Sequence, residues 1–95
     1  MTAPSLILFV SGGSPTSRRA RENLARLAAH DLPADWVVEI IDVMTDPARA
    51  EESRILATPT LSLGDPARPR RIVGDLSERA RVLEFLGIET RSEAP

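Results

Sequence analysis

Between Ile41 and Leu63 the chain reads IDVMTDPARAEESRILATPTLSL and has no residues to spare. The end of a β-branched run meets Asp46-Pro47, an N-cap followed by a proline at the first helical position, where its missing N–H costs nothing. Ala48 to Leu56 can then form a short helix, and Thr58 to Leu63 opens a new apolar run with Pro59 at its entrance. A helix held between two strands by such short joints has to lie against a face of their sheet, so a layered α/β fold is expected.

The flanking segments follow the same alternation. Ser5 to Ser11 is nearly continuous apolar sequence, as in a strand covered on both faces, and predicts a central strand. After the Gly12-Gly13 turn, Ser14 can cap a helix that starts at Pro15 and runs to about His30, with Ala20, Leu24, Leu27 and Ala28 on one face. Arg18, Arg19, Arg21, Glu22 and Arg26 lie mostly elsewhere, giving a basic outer side. Asp31 to Asp35 make the return, and Trp36 to Val43 read as a second strand, parallel to the first through a crossover. Later, Arg70 to Gly74 forms a hairpin with Thr58 to Leu63 across the Gly64 to Pro69 loop. Ser77 is positioned to cap a last helix through Leu86, with Val82, Leu83 and Leu86 inward and Gly87 as its stop.

Composition narrows the chemistry. The chain has 95 residues, 42% hydrophobic and 27% charged, which suits one domain with a modest core over about 5–88 and a loose tail at 89–95. A formal net charge of -2 argues against nucleic acid as a partner. All twelve basic residues are arginine, so there is no amine for a Schiff base and no P-loop lysine. With no cysteine and one histidine, thiol catalysis, disulfides and a histidine-based metal cluster are excluded, and no cofactor is expected. No segment approaches the roughly 20 apolar residues that cross a bilayer, and Leu6 to Val10 has no basic residue ahead of it, so a cytoplasmic location is expected.

The element order βαβαββα is that of a thioredoxin-like fold. The loop where a thioredoxin keeps its reactive cysteines corresponds to Ser11 to Ser17, which holds none, and a redox scaffold without redox chemistry suggests a protein that binds. Pro59 matches the cis-proline ahead of the third strand in that fold. The Gly12-Gly13 loop sets N–H groups at a helix start, as an anion site would require, but no GxGxxG or GKS pattern follows. His30, at a helix end, reads as a partner for the helix dipole.

FVSGGSPTS near the start, IDVMTDPARAEESRILATPTL in the middle and RRIVGDLS later resemble the KaiB circadian-clock proteins in order and spacing, over roughly Ser5 to Leu86. That resemblance implies a non-enzymatic adaptor that binds the N-terminal ATPase ring of a KaiC-type kinase and recruits or displaces other partners, such as a sensor histidine kinase or another clock protein. It also implies two folds. One is an oligomeric ground state with βαββααβ order, assembled as a dimer or tetramer, and the other is a thioredoxin-like monomer competent to bind the ring. The stretch Ser77 to Leu86 is rich in helix formers where the ground state needs a strand, which favours the thioredoxin-like form.

By the same resemblance, the partner-binding residues are Arg19, Trp36, Val37, Glu39, Arg70 and Arg71. Arginine and tryptophan suit an interface hot spot, although Arg19 also reads as a solvated helix residue and Trp36 as a strand-end anchor. Glu39 departs from the cyanobacterial pattern, which has a basic residue there, and implies a partner with a compensating surface. Gly74 and Asp75 sit where the two family folds diverge and are candidates for a switch, with Pro59 a structural third. The competing readings are a stress-related interaction protein and a thioredoxin- or glutathione-transferase-like enzyme using Ser14, Thr16 or Ser17 to activate a bound thiol.

Overall fold

The computed structural model describes residues 5–64 and 69–88; the middle of the expected hairpin loop and the tail expected at 89–95 lie outside the described residues. Seven elements follow in the expected order: β1 (Ser5–Val10), α1 (Pro15–His30), β2 (Val37–Asp42), α2 (Pro47–Glu52), β3 (Thr60–Leu63), β4 (Arg70–Val73) and α3 (Arg79–Leu86). The strands form one sheet in the order β2-β1-β3-β4, with β2 parallel to β1 and the other pairs antiparallel. The long apolar run of β1 is explained by its position in the interior of the sheet.

Strand alternation divides the sheet into two unequal faces. Leu6, Leu8, Leu61 and Leu63 point to the first, where they pack with Ala20, Leu24 and Leu27 of α1 and with Val82, Leu83 and Leu86 of α3. The second face carries Ile7, Phe9, Ile41, Thr60 and Ser62, and of these only Phe9, Ile41 and Thr60 are buried.

The first helix begins as its sequence requires, with Ser14 Oγ accepting from the Ser17 N–H at 3.3 Å and Pro15 in the first turn. Its buried stripe is Ser17, Ala20, Leu24 and Leu27, whereas Ala28 is exposed. The stripe therefore begins one turn earlier than expected, because Ser17 is sealed under the turn after β1 and accepts a hydrogen bond from the Ser11 N–H at 3.0 Å.

β3 starts at Thr60, two residues after the expected Thr58, and two helix boundaries differ from the sequence expectation. α2 stops at Glu52 instead of continuing to Leu56, which is 99% exposed. Arg54 takes φ 54°, its N–H donates to the Glu51 carbonyl at 3.0 Å, and the Ile55 N–H donates to the Ala50 carbonyl at 3.0 Å. This is a Schellman ending built on an arginine. The same pair of bonds ends α3, where Gly87 occupies the left-handed position.

The second difference is at the start of α3, which Ser77 does not cap. The helix begins at Arg79 behind Glu78, with no side-chain cap bond. The Ser77 N–H instead donates to Asp75 Oδ1 at 3.1 Å, and Leu76, at φ 65°, turns into the core. Drawing Leu76 inward consumes the residues that a serine cap would have needed.

Candidate docking surface

The sheet has two exposed edges, and they are chemically unlike. β2 presents Val37 at 60% exposure, Val38 at 37% and Ile40 at 46%, and Met44 just beyond it is 70% exposed. An uncovered apolar edge strand offers unpaired backbone groups and side chains that lose water favourably, which is the geometry for adding another strand or helix. Glu39 interrupts this apolar run, and Arg49 of α2 grips it with both terminal guanidinium nitrogens, at 3.2 and 3.3 Å. That pairing raises the Arg49 pKa above its ordinary value. Trp36, ahead of β2, is half-buried against the core, and its backbone N–H donates to the Pro33 carbonyl at 3.1 Å.

The opposite edge, β4, is basic. Arg70 lies over the Phe85 ring at 5.2 Å, a cation–π contact. Arg71 reaches across the second face and donates to the carbonyl of Ser53, the C-cap of α2. Three strand spacings separate the edges, about 14 Å. The structure thus divides the expected partner-binding set: Trp36, Val37 and Glu39 lie on one edge, and Arg70 and Arg71 on the other.

Arg19 belongs to neither edge. Its Nε donates to Asp75 Oδ2 at 3.2 Å, and Asn23 Nδ2 donates to the Asp75 carbonyl at 2.8 Å, so α1 holds the turn between β4 and α3. Hydrogen bonds from Ser77, then from Arg19, keep the Asp75 carboxyl below the usual carboxylate range. Gly74 at φ 133° and Leu76 at φ 65° flank this aspartate. Arg79 pairs with Asp31 through Nε–Oδ2 at 3.1 Å, holding α3 to the end of α1 and lowering the Asp31 pKa.

At the loop after β1, Ser14 Oγ is committed to the helix cap and Ser17 is buried under Ser11. Asp42 Oδ1 accepts from the Gly12 N–H at 3.0 Å and from the Met44 N–H at 2.9 Å, which depress its pKa and tie that loop to the end of β2. The Gly12 N–H is therefore already satisfied by the protein. The Thr58–Pro59 peptide is cis. Among the described residues no group of three or more His, Asp or Glu could hold a metal ion, and no helix is long and apolar enough to cross a membrane.

Sequence reasoning missed Ile40, Met44, Arg49 and Arg54. Ile40 sits in a β-branched run that reads as a strand, and its exposure follows from strand order, which leaves β2 at the sheet edge. Arg49 was legible merely as a helix residue, and nothing local shows that it reaches Glu39, ten positions earlier.

The family model described as KaiB domain matches residues 7–88. The circadian clock oscillator protein KaiB of Synechococcus sp. (strain CC9311) is 46% identical over 78 residues, covering 82% of this chain and 66% of that protein, just under two thirds of its length. The KaiB of Parasynechococcus marenigrum (strain WH8102) is also 46% identical over 78 residues, covering 82% of this chain and 75% of the relative. In structure the chain is similar to oxidized mitochondrial thioredoxin 3 from Saccharomyces cerevisiae, with a TM-score of 0.73 at 20% identity, covering 92% of this chain and 80% of the thioredoxin. That likeness is one of fold alone.

Proposed function

The chain belongs to the KaiB family of circadian clock proteins, and from that premise we propose that it is a non-enzymatic adaptor that docks on a KaiC-type ATPase ring. There it alters the ring's phosphorylation rhythm or recruits a further clock partner. The observation that carries the reading is the bare edge of β2, where Val37, Val38 and Ile40 are exposed beside the half-buried Trp36. Burying that edge under a partner strand would gain apolar area and pair backbone groups together.

The β4 edge supports the same reading as the electrostatic half of the surface. Arg70 is oriented by Phe85 and Arg71 by the Ser53 carbonyl, so both side chains lose little freedom on meeting an acidic partner. The loop hydroxyls bear on the enzymatic alternative. Ser14 and Ser17 already serve the helix cap and the Ser11 N–H, which leaves Thr16 as the exposed hydroxyl of that loop.

Capture of the purified chain by a cognate KaiC-type ring, with and without ATP, tests the proposal. The unmodified chain should bind, and Val37→Lys and Ile40→Lys, at exposed positions, should keep the far-UV spectrum while abolishing capture. Undiminished binding by both variants would overturn the edge as the docking site.

A further inference from the structure

The second face of the sheet is only half covered. α2 is six residues long and spans about 9 Å, whereas the six-residue strand β1 beneath it spans about 20 Å. Phe9 and Ile41 are buried on this face, whereas Ser5 at the start of β1 is exposed and Ile7 only half-buried. A groove of about 610 Å³ remains, with Ile7 and Ser62 on its floor and Arg49, Glu52, Arg54 and Arg71 around it. That volume lies within the range of small-molecule sites.

The charges of the groove are not equivalent. Both terminal nitrogens of Arg49 are engaged by Glu39. Arg71 has one nitrogen on the Ser53 carbonyl and no carboxylate partner among the described residues, and Arg54 has no ion-pair partner among them either. Two guanidinium groups are therefore available to an incoming anion. Glu52 on the rim works against a second negative charge, which favours a monoanion.

Arg54 adds an independent sign. It occupies a left-handed helix-ending position at φ 54°, the position that glycine fills at the end of α3. An arginine there carries backbone strain that glycine would not. Strain retained at the wall of a cavity points to use of the side chain.

We propose that this groove binds a small amphipathic carboxylate, its head held by Arg54 and Arg71 and its apolar body laid on Ile7. The site lies at the opposite end of the sheet from the loop after β1, and the proposal does not depend on ring docking. Hexanoate, phenylacetate, inorganic phosphate and hexylamine, titrated separately into the isotopically labelled chain, test it. The two carboxylates should give saturable amide shifts centred on Ile7, Ser62 and Arg71, while phosphate binds more weakly and hexylamine leaves them unmoved.

Arg54→Gln should weaken carboxylate binding by about tenfold or more, the loss of a charge-assisted contact. Ser62→Asp, which puts a carboxylate on the floor, should abolish it. Phosphate binding as tightly as hexanoate, shifts that ignore both substitutions, or no saturable shifts in the groove would each overturn the proposal. Capture by the ring is read separately and is left intact by Arg54→Gln, so failure here is distinguishable from failure of the docking reading.

Discussion

Arg19 and Asp75, 56 positions apart, meet at 3.2 Å between Nε and Oδ2, and this contact fastens the strand-to-helix turn of the C-terminal half onto α1. Asp75 also receives the Ser77 N–H, and its carbonyl receives Asn23, so one aspartate gathers three residues around a turn that contains two left-handed positions.

Asp75 makes the C-terminal half sensitive to acid. Its folded pKa, like those of Asp31 and Asp42, lies below the ordinary value. The stabilisation is therefore complete above the unfolded carboxylate pKa of about 3.9 and is lost as pH falls through the lowered folded values. Urea midpoints should be level from neutral pH down to about 5 and fall steeply below about 4. Asp75→Asn should have a lower midpoint at neutral pH and a shallower acid decline; an unchanged profile would refute the assignment.

Gly74 at φ 133° has open space where a Cβ would project, so the strain of Gly74→Ala comes from the backbone and not from a clash. The substitution should destabilise this fold by about 1–2 kcal/mol. Chemical denaturation gives the size, and NMR secondary shifts across Arg79 to Leu86 show whether the displaced population becomes extended or unfolds. Unchanged fold populations would count against a switching role for this glycine.

Ser17 is fully buried, and its hydroxyl is the acceptor for the Ser11 N–H. Ser17→Ala should cost about 1–3 kcal/mol, the penalty for leaving a buried donor unpaired. Equilibrium unfolding checks this. Ring capture under conditions where the variant remains folded should be unaffected, since the side chain supports the loop from inside.

Glu39 and Arg49 form a bidentate pair on the surface, and exchanging them separates charge from shape. Glu39→Lys should set two cations against each other and weaken capture by the cognate ring. Glu39→Lys with Arg49→Glu should restore the pair but leave capture weak if the partner reads Glu39 itself. Binding of both variants to an immobilised ring measures the difference, and tighter binding of the single variant would refute a partner matched to an acidic residue.

Arg54 is strained where Gly87 is not. Arg54→Gly should raise stability by about 0.5–1 kcal/mol, the strain relieved less the extra freedom that glycine gives the unfolded chain. Thermal melting reports the gain. A loss would mean that the arginine side chain stabilises the end of α2 by more than its backbone costs.

Helix starts were legible in the sequence because capping acts within three or four residues: Ser14-Pro15 and Asp46-Pro47 begin helices as they read, and Gly87 ends one. The end of α2 was not legible. An arginine in the left-handed position carries no local signature, and Ile55-Leu56 look helical by composition. The cap of α3 was misread for a related reason, since Ser77 is a good cap in isolation and burial of Leu76 redirects it. Of the candidate surface, Trp36, Val37, Glu39, Arg70 and Arg71 were named from resemblance, but their separation onto two edges was not visible.

The sequence by itself determined the element order, the core face of α1 to within one turn and that of α3, and the family, because periodicity, caps and motif spacing are properties of neighbouring residues. Tertiary structure decided the rest. β1 and β2 both read as strands rich in large aliphatic residues, yet Leu6 is fully buried and Val37 is 60% exposed, because one strand is flanked on both sides and the other is an edge. Which charges meet, as Arg19 meets Asp75, and how much of a sheet a short helix can cover depend on distances between segments remote in the chain. Those distances are set by packing, and local preference, extending only a few residues, does not specify them.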